Sequence, residues 1–166
     1  MKRALFIGRF QPFHNAHLTD IKDILKESDE VIIAIGSSQE KNTLENPFSY
    51  KERKEMIDKA LKKNKIKNFR IYPIPDFYND KKWIYYMQTK LPKFEIAYSG
   101  NPWTLKCFKK YNLTAMKIKL IKGLNSTRIR DMIINDEEWQ ELVPEEISDY
   151  IKKIGGISRI KKNIND

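Results

Sequence analysis

The chain has 166 residues, 40% of them hydrophobic, and this length and composition predict one globular domain. No apolar run approaches the roughly 18 residues that a membrane-spanning helix needs, so we expect no membrane segment. With one cysteine, Cys107, it can form neither an intrachain disulfide nor a multi-thiolate zinc site, and we expect this cysteine in the core. The net charge of +10 comes largely from lysines interleaved with acidic and polar residues, which is typical of a solvated surface, although a nucleic-acid-binding patch or a small phosphate-bearing ligand would also fit it.

Apolar runs that favour strands alternate with amphipathic helical patterns along the chain. This alternation predicts an α/β fold with a Rossmann-like, doubly wound parallel sheet. The first run, Ala4 to Ile7, is too short for a secretory signal, so we expect a cytoplasmic protein. We predict strands over residues 3–7, 31–35, 69–74, 95–98 and 116–121.

Helical patterns separate these strands and follow the last one. Ser49 and Glu52 have the spacing of a capping box, and Asn101 followed by proline is a strong helix start. Residues 76–82 lack an apolar period and are predicted to form a loop at the carboxyl edge of the sheet, where ligands bind in this architecture. We predict helices after Gly8, from Tyr50, over 83–91, from Pro102 and within a C-terminal helical part over about 126–160 that ends in a basic tail, all in one domain, 1–166.

The turn after the first strand, Gly8 to His17, holds both histidines of the chain. Gly8 lets a phosphate approach the backbone, and the following helix directs its free amides and positive dipole end to the same place. Arg9 adds a fixed charge, and His14 and His17 lie on one helical turn, so both can face one anion. The pattern indicates a triphosphate site, with two alternatives open: histidines that cap a helix, or a metal pair whose coordination would be incomplete.

A second polar helix start follows the fifth predicted strand. Ile129 and Ile133 share one helical face, and Arg130 points roughly a quarter-turn away from Ile129 because each residue turns the helix by about 100°. We therefore expect Arg130 at the rim of the sheet.

The motif Gly-Arg-Phe-Gln-Pro-Phe-His-x-x-His at 8–17 resembles the signature of the nucleotidylyltransferases with the His-x-Gly-His motif. Its Arg-Phe-Gln-Pro-Phe-His form is similar to the archaeal-type nicotinamide mononucleotide (NMN) adenylyltransferases. The resemblance covers almost the whole chain. Further blocks resemble that family in the same order at 36–39, 45–48 with 52–53, 98–102, 127–130 and 139–144.

This resemblance implies transfer of AMP from ATP to the phosphate of NMN, which yields NAD and pyrophosphate in NAD biosynthesis. It implies Mg²⁺ carried by the ATP phosphates rather than by protein side chains, ATP and NMN as the partners, no nucleic acid, no membrane, and a homo-oligomer. It assigns catalysis to Arg9, His14, His17 and Arg130. It places ATP against Gly8, Arg9, Phe10, His14, His17, Gly100, Asn101, Ser126, Thr127 and Arg130.

The nicotinamide nucleotide is placed by the same resemblance, with Trp83 against its aromatic ring, since a pyridinium stacks favourably on indole. A core or interface role is the alternative for Trp83. Phe48 and Arg53 are either structural or pocket-lining residues. The residues expected to contact this nucleotide are Phe10, Ser37, Asp76, Asp80 and Trp83.

Three residues depart from the family pattern. Ala16 replaces a glycine and adds a methyl group where phosphate passes, and some members also lack this glycine. Asn125 occupies the place of the first serine in the second signature, with Ser126 adjacent as a substitute donor. Asp80 stands where near relatives usually carry asparagine, so the contact with the carboxamide is expected to differ.

Two alternative functions stay open beside NMN adenylyl transfer. One is another adenylyl- or cytidylyltransferase with a different acceptor, the acid form of NMN included. The other is a basic nucleic-acid-binding module.

Overall fold

The computed structural model describes residues 1–163. The strands of that part are β1 (Arg3–Gly8), β2 (Glu30–Ile35), β3 (Phe69–Pro73), β4 (Ile96–Ser99) and β5 (Ala115–Lys117). Its helices are α1 (Asn15–Glu27), α2 (Tyr50–Lys63), α3 (Asp80–Lys90), α4 (Pro102–Lys110), α5 (Ser126–Ile134), a 3₁₀ helix (Gln140–Leu142), α6 (Glu145–Lys153) and α7 (Gly156–Lys162). None of the helices in residues 1–163 is long and apolar enough to cross a membrane.

All five strands are parallel and lie in one sheet, in the order β3-β2-β1-β4-β5. Strand β1 is central, with Leu5 paired to Ile32 of β2 and to Ala97 of β4. Because helices cover both faces of such a sheet, its central strands are continuous apolar runs, and Ala4 to Ile7 are all buried. The predicted Rossmann-like α/β fold is confirmed.

The described chain divides into two compact units. The first comprises residues 1–8, 20–38 and 68–120 and contains the whole sheet. Its core is an apolar cluster that includes Leu5, Ile32, Trp83 and Phe108, and Cys107 is buried in this cluster as predicted. The second comprises residues 9–19, 39–67 and the chain from 121 onward, in which α2, α5, α6 and α7 pack on one another.

Two helix starts have the caps that the sequence predicts. In the capping box of α2, the Ser49 amide donates to Glu52 Oε2 at 2.8 Å and the Glu52 amide donates to Ser49 Oγ at 3.3 Å. At α4, the Trp103 amide donates to Asn101 Oδ1 at 2.9 Å, and Pro102 is the first helical residue. These side chains satisfy amides that a helix leaves unpaired at its first turn.

Three element predictions were wrong. Helix α3 begins at Asp80 rather than Trp83, because Asn79 accepts from the Lys82 amide and caps a polar first turn that carries no apolar period. Strand β5 ends at Lys117 rather than Ile121, since it is a short edge strand with few pairing partners. The basic tail forms α7, which begins after Gly155 at a φ of 68° and buries Ile160.

Helix α1 carries a buried acid, Asp20, whose Oδ2 has no hydrogen-bond partner within residues 1–163. Burial, and then the nearby Asp23, raise the pKa of Asp20 to about 6, while Lys119 acts in the opposite direction. Because this pKa lies above that of an unfolded aspartate, ionisation of Asp20 opposes folding. The cost is absent below about pH 4, grows as the pH rises, and is complete above the folded-state pKa of about 6.

We therefore expect Asp20→Asn to raise the free energy of unfolding by about 1 kcal/mol at pH 7.5 and to leave it unchanged at pH 4. Denaturant unfolding followed by circular dichroism measures both values. Asp58→Asn is the matched control, because Asp58 is an acid paired with Lys62 on the surface of α2. An equal gain at both pH values would contradict the assignment of this cost to the Asp20 carboxylate.

Candidate functional site

The phosphate turn, which we define as residues 9–14, links β1 to α1. Phe10 has a φ of 53°, in the left-handed region that bulky residues rarely adopt. Its buried ring lies edge-on to the His17 ring, with 4.8 Å between centroids, and contacts Phe13 at 5.9 Å. This aromatic packing stabilises the turn in a conformation that its backbone alone disfavours.

The two histidines form a stacked pair at the end of this turn. Their ring centroids are 3.6 Å apart and the rings are inclined by 18°. The His14 amide donates to His17 Nδ1 at 3.2 Å, so the neutral His17 ring carries its proton on Nε2. His14 is 5% exposed, and its buried Nδ1 has no hydrogen-bond partner among the described residues. His14 therefore offers a polar ring atom to a ligand.

Both imidazoles are neutral near pH 7. Burial lowers the pKa of His14 to about 4. Burial, and then the proximity of His14, lower the pKa of His17 well below its ordinary value. Two stacked rings this close cannot both be charged without strong repulsion. The site consequently presents hydrogen-bond donors rather than two fixed positive charges at this point.

Helix α5 contacts the phosphate turn through its first residues. Asn125 caps the helix, since its Oδ1 accepts from the Arg128 amide at 2.8 Å, which gives this departure from the family pattern a clear local role. Ser126 Oγ donates to the Pro12 carbonyl at 2.9 Å. The start of α5 is thus fixed directly to the turn that carries the histidines.

Arg130 is a buried residue of α5, and its predicted place at the rim of the sheet stays a prediction. It is 6% exposed, and its Nη1 donates to the Gln11 carbonyl at 2.8 Å. Its Nη2 donates to Thr127 Oγ1 at 3.3 Å. The quarter-turn from Ile129 directs the side chain toward the phosphate turn, because α5 packs beside that turn instead of facing solvent there.

A second guanidinium belongs to the same turn. Arg9 is half-exposed and lies 3.6 Å from Glu45 Oε2, an exposed pair that contributes little energy and leaves the cation able to bind other anions. Burial, and then the positive charge of Arg9, lower the pKa of Arg130. Arg9 and His14 on the turn, with His17 of α1 and Arg130 of α5 beside it, form a group of two cations and a neutral histidine pair that favours an anionic ligand.

The remaining residues predicted to contact ATP lie in the first unit. Gly8 ends β1, and its carbonyl accepts from the Gly36 amide at 2.9 Å. A Cβ at Gly100 would lie 3.1 Å from Ile118 Cδ1, so a side chain there would require Ile118 to shift by a few tenths of an ångström. Asn101 caps α4. Each of these residues has a structural role, and their contacts with ATP stay predictions.

The residues predicted to bind the second nucleotide, apart from Phe10, also lie in the first unit. Trp83 is 6% exposed and packs against Phe108 and against Trp103, with 4.9 Å between the two indole centroids. Asp80 Oδ2 accepts from Lys110 Nζ at 2.9 Å. Ser37 follows β2 with a φ of 47°, and Asp76 lies half-buried after β3. The carboxylate that departs from the family pattern is thus paired with a lysine of α4.

The chain is similar to known proteins over most of its length. Residues 5–146 match the family model described as cytidylyltransferase-like. The nicotinamide-nucleotide adenylyltransferase of Methanococcus aeolicus is 44% identical over 99% of this chain and 96% of its own length. That of Pyrococcus furiosus is 39% identical over 97% of this chain and 88% of its own. The chain belongs to the cytidylyltransferase-like family, and these relatives within it are nicotinamide-nucleotide adenylyltransferases.

Solved structures give the same fold. A bifunctional NMN adenylyltransferase/ADP ribose pyrophosphatase from Francisella tularensis has a TM-score of 0.81 and 24% identity, over 99% of this chain and 54% of that one. Its complex with AMP and a manganese ion has a TM-score of 0.77. At this identity the likeness shows the fold alone, and it agrees with the parallel sheet described above.

For a member of this family, the structure adds residues that the sequence analysis did not place in the site. Trp103, 48% exposed, lies against Trp83, and its position directly after an Asn-Pro helix start is a signal that could have identified it. Gln11, within the phosphate turn, donates to the Phe48 carbonyl, and Arg53 contacts the turn at the Arg9 carbonyl. Ala16 is buried.

Proposed function

We propose that this chain transfers the AMP group of ATP to the phosphate of NMN, forming NAD and pyrophosphate. A phosphate oxygen of NMN attacks the α-phosphorus of ATP, and the bond from that phosphorus to the β-phosphate oxygen breaks, which releases pyrophosphate. The observation that carries the proposal is the stacked, neutral pair formed by His14 of the phosphate turn and His17 of α1, in a chain 37–44% identical to nicotinamide-nucleotide adenylyltransferases.

In this proposal the protein binds and orients phosphates and supplies no nucleophile. His17 donates through Nε2–H, and His14 through whichever ring nitrogen carries its proton, to oxygens that gain negative charge as pyrophosphate leaves. Arg9 and Arg130 balance the charge of the β- and γ-phosphates, and the first amides of α1 face the same anion. Phosphoryl-type transfer needs positioning and charge stabilisation rather than covalent catalysis, which fits this set of groups.

Magnesium is proposed to enter with ATP. Among residues 1–163 no group of three or more His, Cys, Asp or Glu side chains could hold a metal ion. The phosphate turn presents arginines and N–H donors, which fit phosphates that already carry a cation better than a bare cation. Bound to ATP, Mg²⁺ neutralises part of the phosphate charge.

The acceptor is proposed to bind at Trp83, with Asp76 and Asp80 near its polar groups. We expect Trp83→Ala to raise the KM for NMN about tenfold and to leave the KM for ATP unchanged, because in this proposal the indole contacts the acceptor ring and does not contact ATP. Steady-state kinetics with each substrate varied in turn measures both constants. Since Trp83 is also a core residue, Trp83→Phe is made beside it, and this variant is expected to keep the fold and recover part of the NMN affinity.

Tyr85→Ala is the matched control for these variants, because Tyr85 is an exposed aromatic residue on the same helix. It is expected to leave both Michaelis constants unchanged. An unchanged KM for NMN in the folded Trp83 variants would assign Trp83 to the core alone.

The assignment of the reaction is tested with a panel of acceptors. Purified protein is mixed with ATP, Mg²⁺ and one of NMN, its acid form, flavin mononucleotide, phosphopantetheine or glycerol 3-phosphate, and pyrophosphate and product mass are measured. We expect pyrophosphate and NAD with NMN. If the pyridine nucleotides yield no pyrophosphate while another acceptor does, NMN is not the acceptor and the chain is a nucleotidylyltransferase that uses that other acceptor.

We also propose that the enzyme acts as a homo-oligomer in the cytoplasm. Support for self-association comes from apolar side chains exposed near the edge strand β5, Met116 and Leu120, since such edges commonly pair or are covered. Sedimentation of the purified protein measures the oligomeric state directly.

A further inference from the structure

The phosphate turn is held from its buried side by a two-way contact with the loop before α2. Gln11 Nε2 donates to the Phe48 carbonyl at 2.9 Å, and the Phe48 amide donates to Gln11 Oε1 at 3.0 Å. Both residues are almost completely buried. An amide side chain matches one peptide group with both a donor and an acceptor, so this contact fixes the position and the orientation of Gln11 together.

A buried arginine of α2 holds the neighbouring peptide of the turn. Arg53 is 0% exposed. Its Nη1 donates to the Arg9 carbonyl at 2.8 Å, and its Nε donates to the Ser49 carbonyl at 3.3 Å. Charge-assisted hydrogen bonds to peptide oxygens in a buried site are stronger than neutral ones. Arg53 therefore links the turn to the first turn of α2.

The loop before α2 and the first turn of α2 are themselves held in place by helix α7. Arg159 of α7 donates to both carboxylate oxygens of Glu52, at 2.9 and 2.8 Å, and to the Pro47 carbonyl at 3.2 Å. A Cβ on Gly156 would lie 2.9 Å from Phe48 Cε1, so α7 packs closely on Phe48. Since Glu52 also belongs to the capping box, the loop and the start of α2 form one rigid support.

We propose that Arg53 and Gln11 are positioning residues for ATP, an inference that rests on the proposed function of the turn. The carbonyl oxygens of Arg9 and Gln11 flank Phe10, and each is bound by a guanidinium, from Arg53 and Arg130 respectively. Because each carbonyl oxygen accepts a hydrogen bond from a cation, its negative partial charge is offset and it repels a nearby phosphate less. The same restraints maintain the left-handed Phe10, whose ring supports His17.

Neither residue is a catalytic residue in this scheme, because both act through the backbone of the turn. The block of residues 45–48 with 52–53 resembles the family, but none of its residues was predicted to contact ATP or NMN. In this proposal the block has a role as the support of the phosphate turn. A displacement of the turn of about 1 Å is enough to cost about 100-fold in rate.

The test uses Arg53→Met, Arg53→Lys, Gln11→Met and Gln11→Glu. Arg53→Met is expected to lower kcat/KM for ATP about 100-fold and to weaken binding of inorganic tripolyphosphate, measured by calorimetry, while the KM for NMN stays within about twofold. Arg53→Lys keeps one donor and restores part of the loss. Gln11→Glu keeps an acceptor for the Phe48 amide but sets a buried carboxylate oxygen against the Phe48 carbonyl oxygen, so its loss is at least as large as that of Gln11→Met.

Arg70→Met is the control, because Arg70 forms a partly exposed ion pair with Glu30 in the other unit. It is expected to leave ATP kinetics and tripolyphosphate binding unchanged. A purely structural role for Arg53 would instead lower the melting temperature and the fraction of active protein without changing the KM for ATP of the folded fraction.

A second arm separates positioning from stability. If Arg53 acts by placing the histidines, Arg53→Met reduces kcat/KM for ATP much less in a His17→Ala background than in the wild-type protein, about threefold or less. Additive losses, or a folded Arg53→Met variant with wild-type ATP parameters, would overturn the proposal. If Arg53→Met does not fold, Arg53→Lys and Gln11→Glu decide the same question. If the wild-type protein uses no acceptor, the proposed function fails, and tripolyphosphate binding still tests the two positioning residues.

Discussion

His17→Ala is expected to lower kcat by about 100- to 1000-fold and to change the KM for NMN by less than about threefold. His17 Nδ1 is occupied by the His14 amide, so its Nε2–H is the donor that can act on ATP. A donor placed where charge develops contributes mainly in the transition state and little to binding of the acceptor. Initial rates with each substrate varied in turn measure both quantities.

Tyr150→Phe is a useful control for this variant, since Tyr150 lies in the same unit and its hydroxyl donates to Glu55 Oε2 at 2.8 Å instead of facing the turn. It is expected to retain wild-type kinetics. Equal losses in kcat and in NMN affinity for His17→Ala would contradict the role given to this histidine.

Arg130→Met is expected to lower kcat/KM for ATP by about 1000-fold. The substitution removes a cation from the phosphates and also frees the Gln11 carbonyl, which then repels them. Arg130→Lys is expected to recover little, because a single ammonium cannot bond the Gln11 carbonyl and Thr127 Oγ1 in the geometry of the planar guanidinium. Kinetics with ATP varied, together with tripolyphosphate calorimetry, measure the loss.

Arg128→Met is the matched control on the same helix. Arg128 is exposed and donates to the Gly123 carbonyl, so its loss removes an equal charge without touching the phosphate turn. It is expected to lower kcat/KM for ATP by less than about threefold. Equal effects of the two arginines would reduce the role of Arg130 to general electrostatic attraction.

The strands and the helix starts were predictable because their causes are local. Buried parallel strands require continuous apolar runs, and the caps at Ser49 and Asn101 act within three residues. The clustering of polar groups after β1 was predictable for the same reason, since a glycine, an arginine and two histidines lie within ten residues of one another, and their contacts with phosphate stay predictions. Edge strand β5 and helix α7 escaped prediction because pairing and packing with distant segments decide where they end and begin.

The support of the turn could not be predicted from spacing. Gln11 meets Phe48 across 37 positions, and Arg53 meets Arg9 across 44. Helical geometry correctly turned Arg130 away from Ile129, yet it could not show that the Gln11 carbonyl, 119 positions earlier, lies there to accept its hydrogen bond. The sequence alone does not distinguish a buried arginine from a surface arginine, because burial depends on a hydrogen-bond partner that lies far away in the chain.

The central claim is that two neutral, stacked histidines bind the ATP phosphates, and nitrogen-15 NMR of the imidazoles tests it most directly, because the chain contains two histidines. The account predicts that His14 titrates near pH 4, that His17 titrates below its ordinary range as an Nε2–H tautomer, and that a non-hydrolysable ATP analogue with Mg²⁺ shifts the signals of both rings. Rings that titrate near the ordinary histidine value, or signals that do not respond to the analogue, would contradict it.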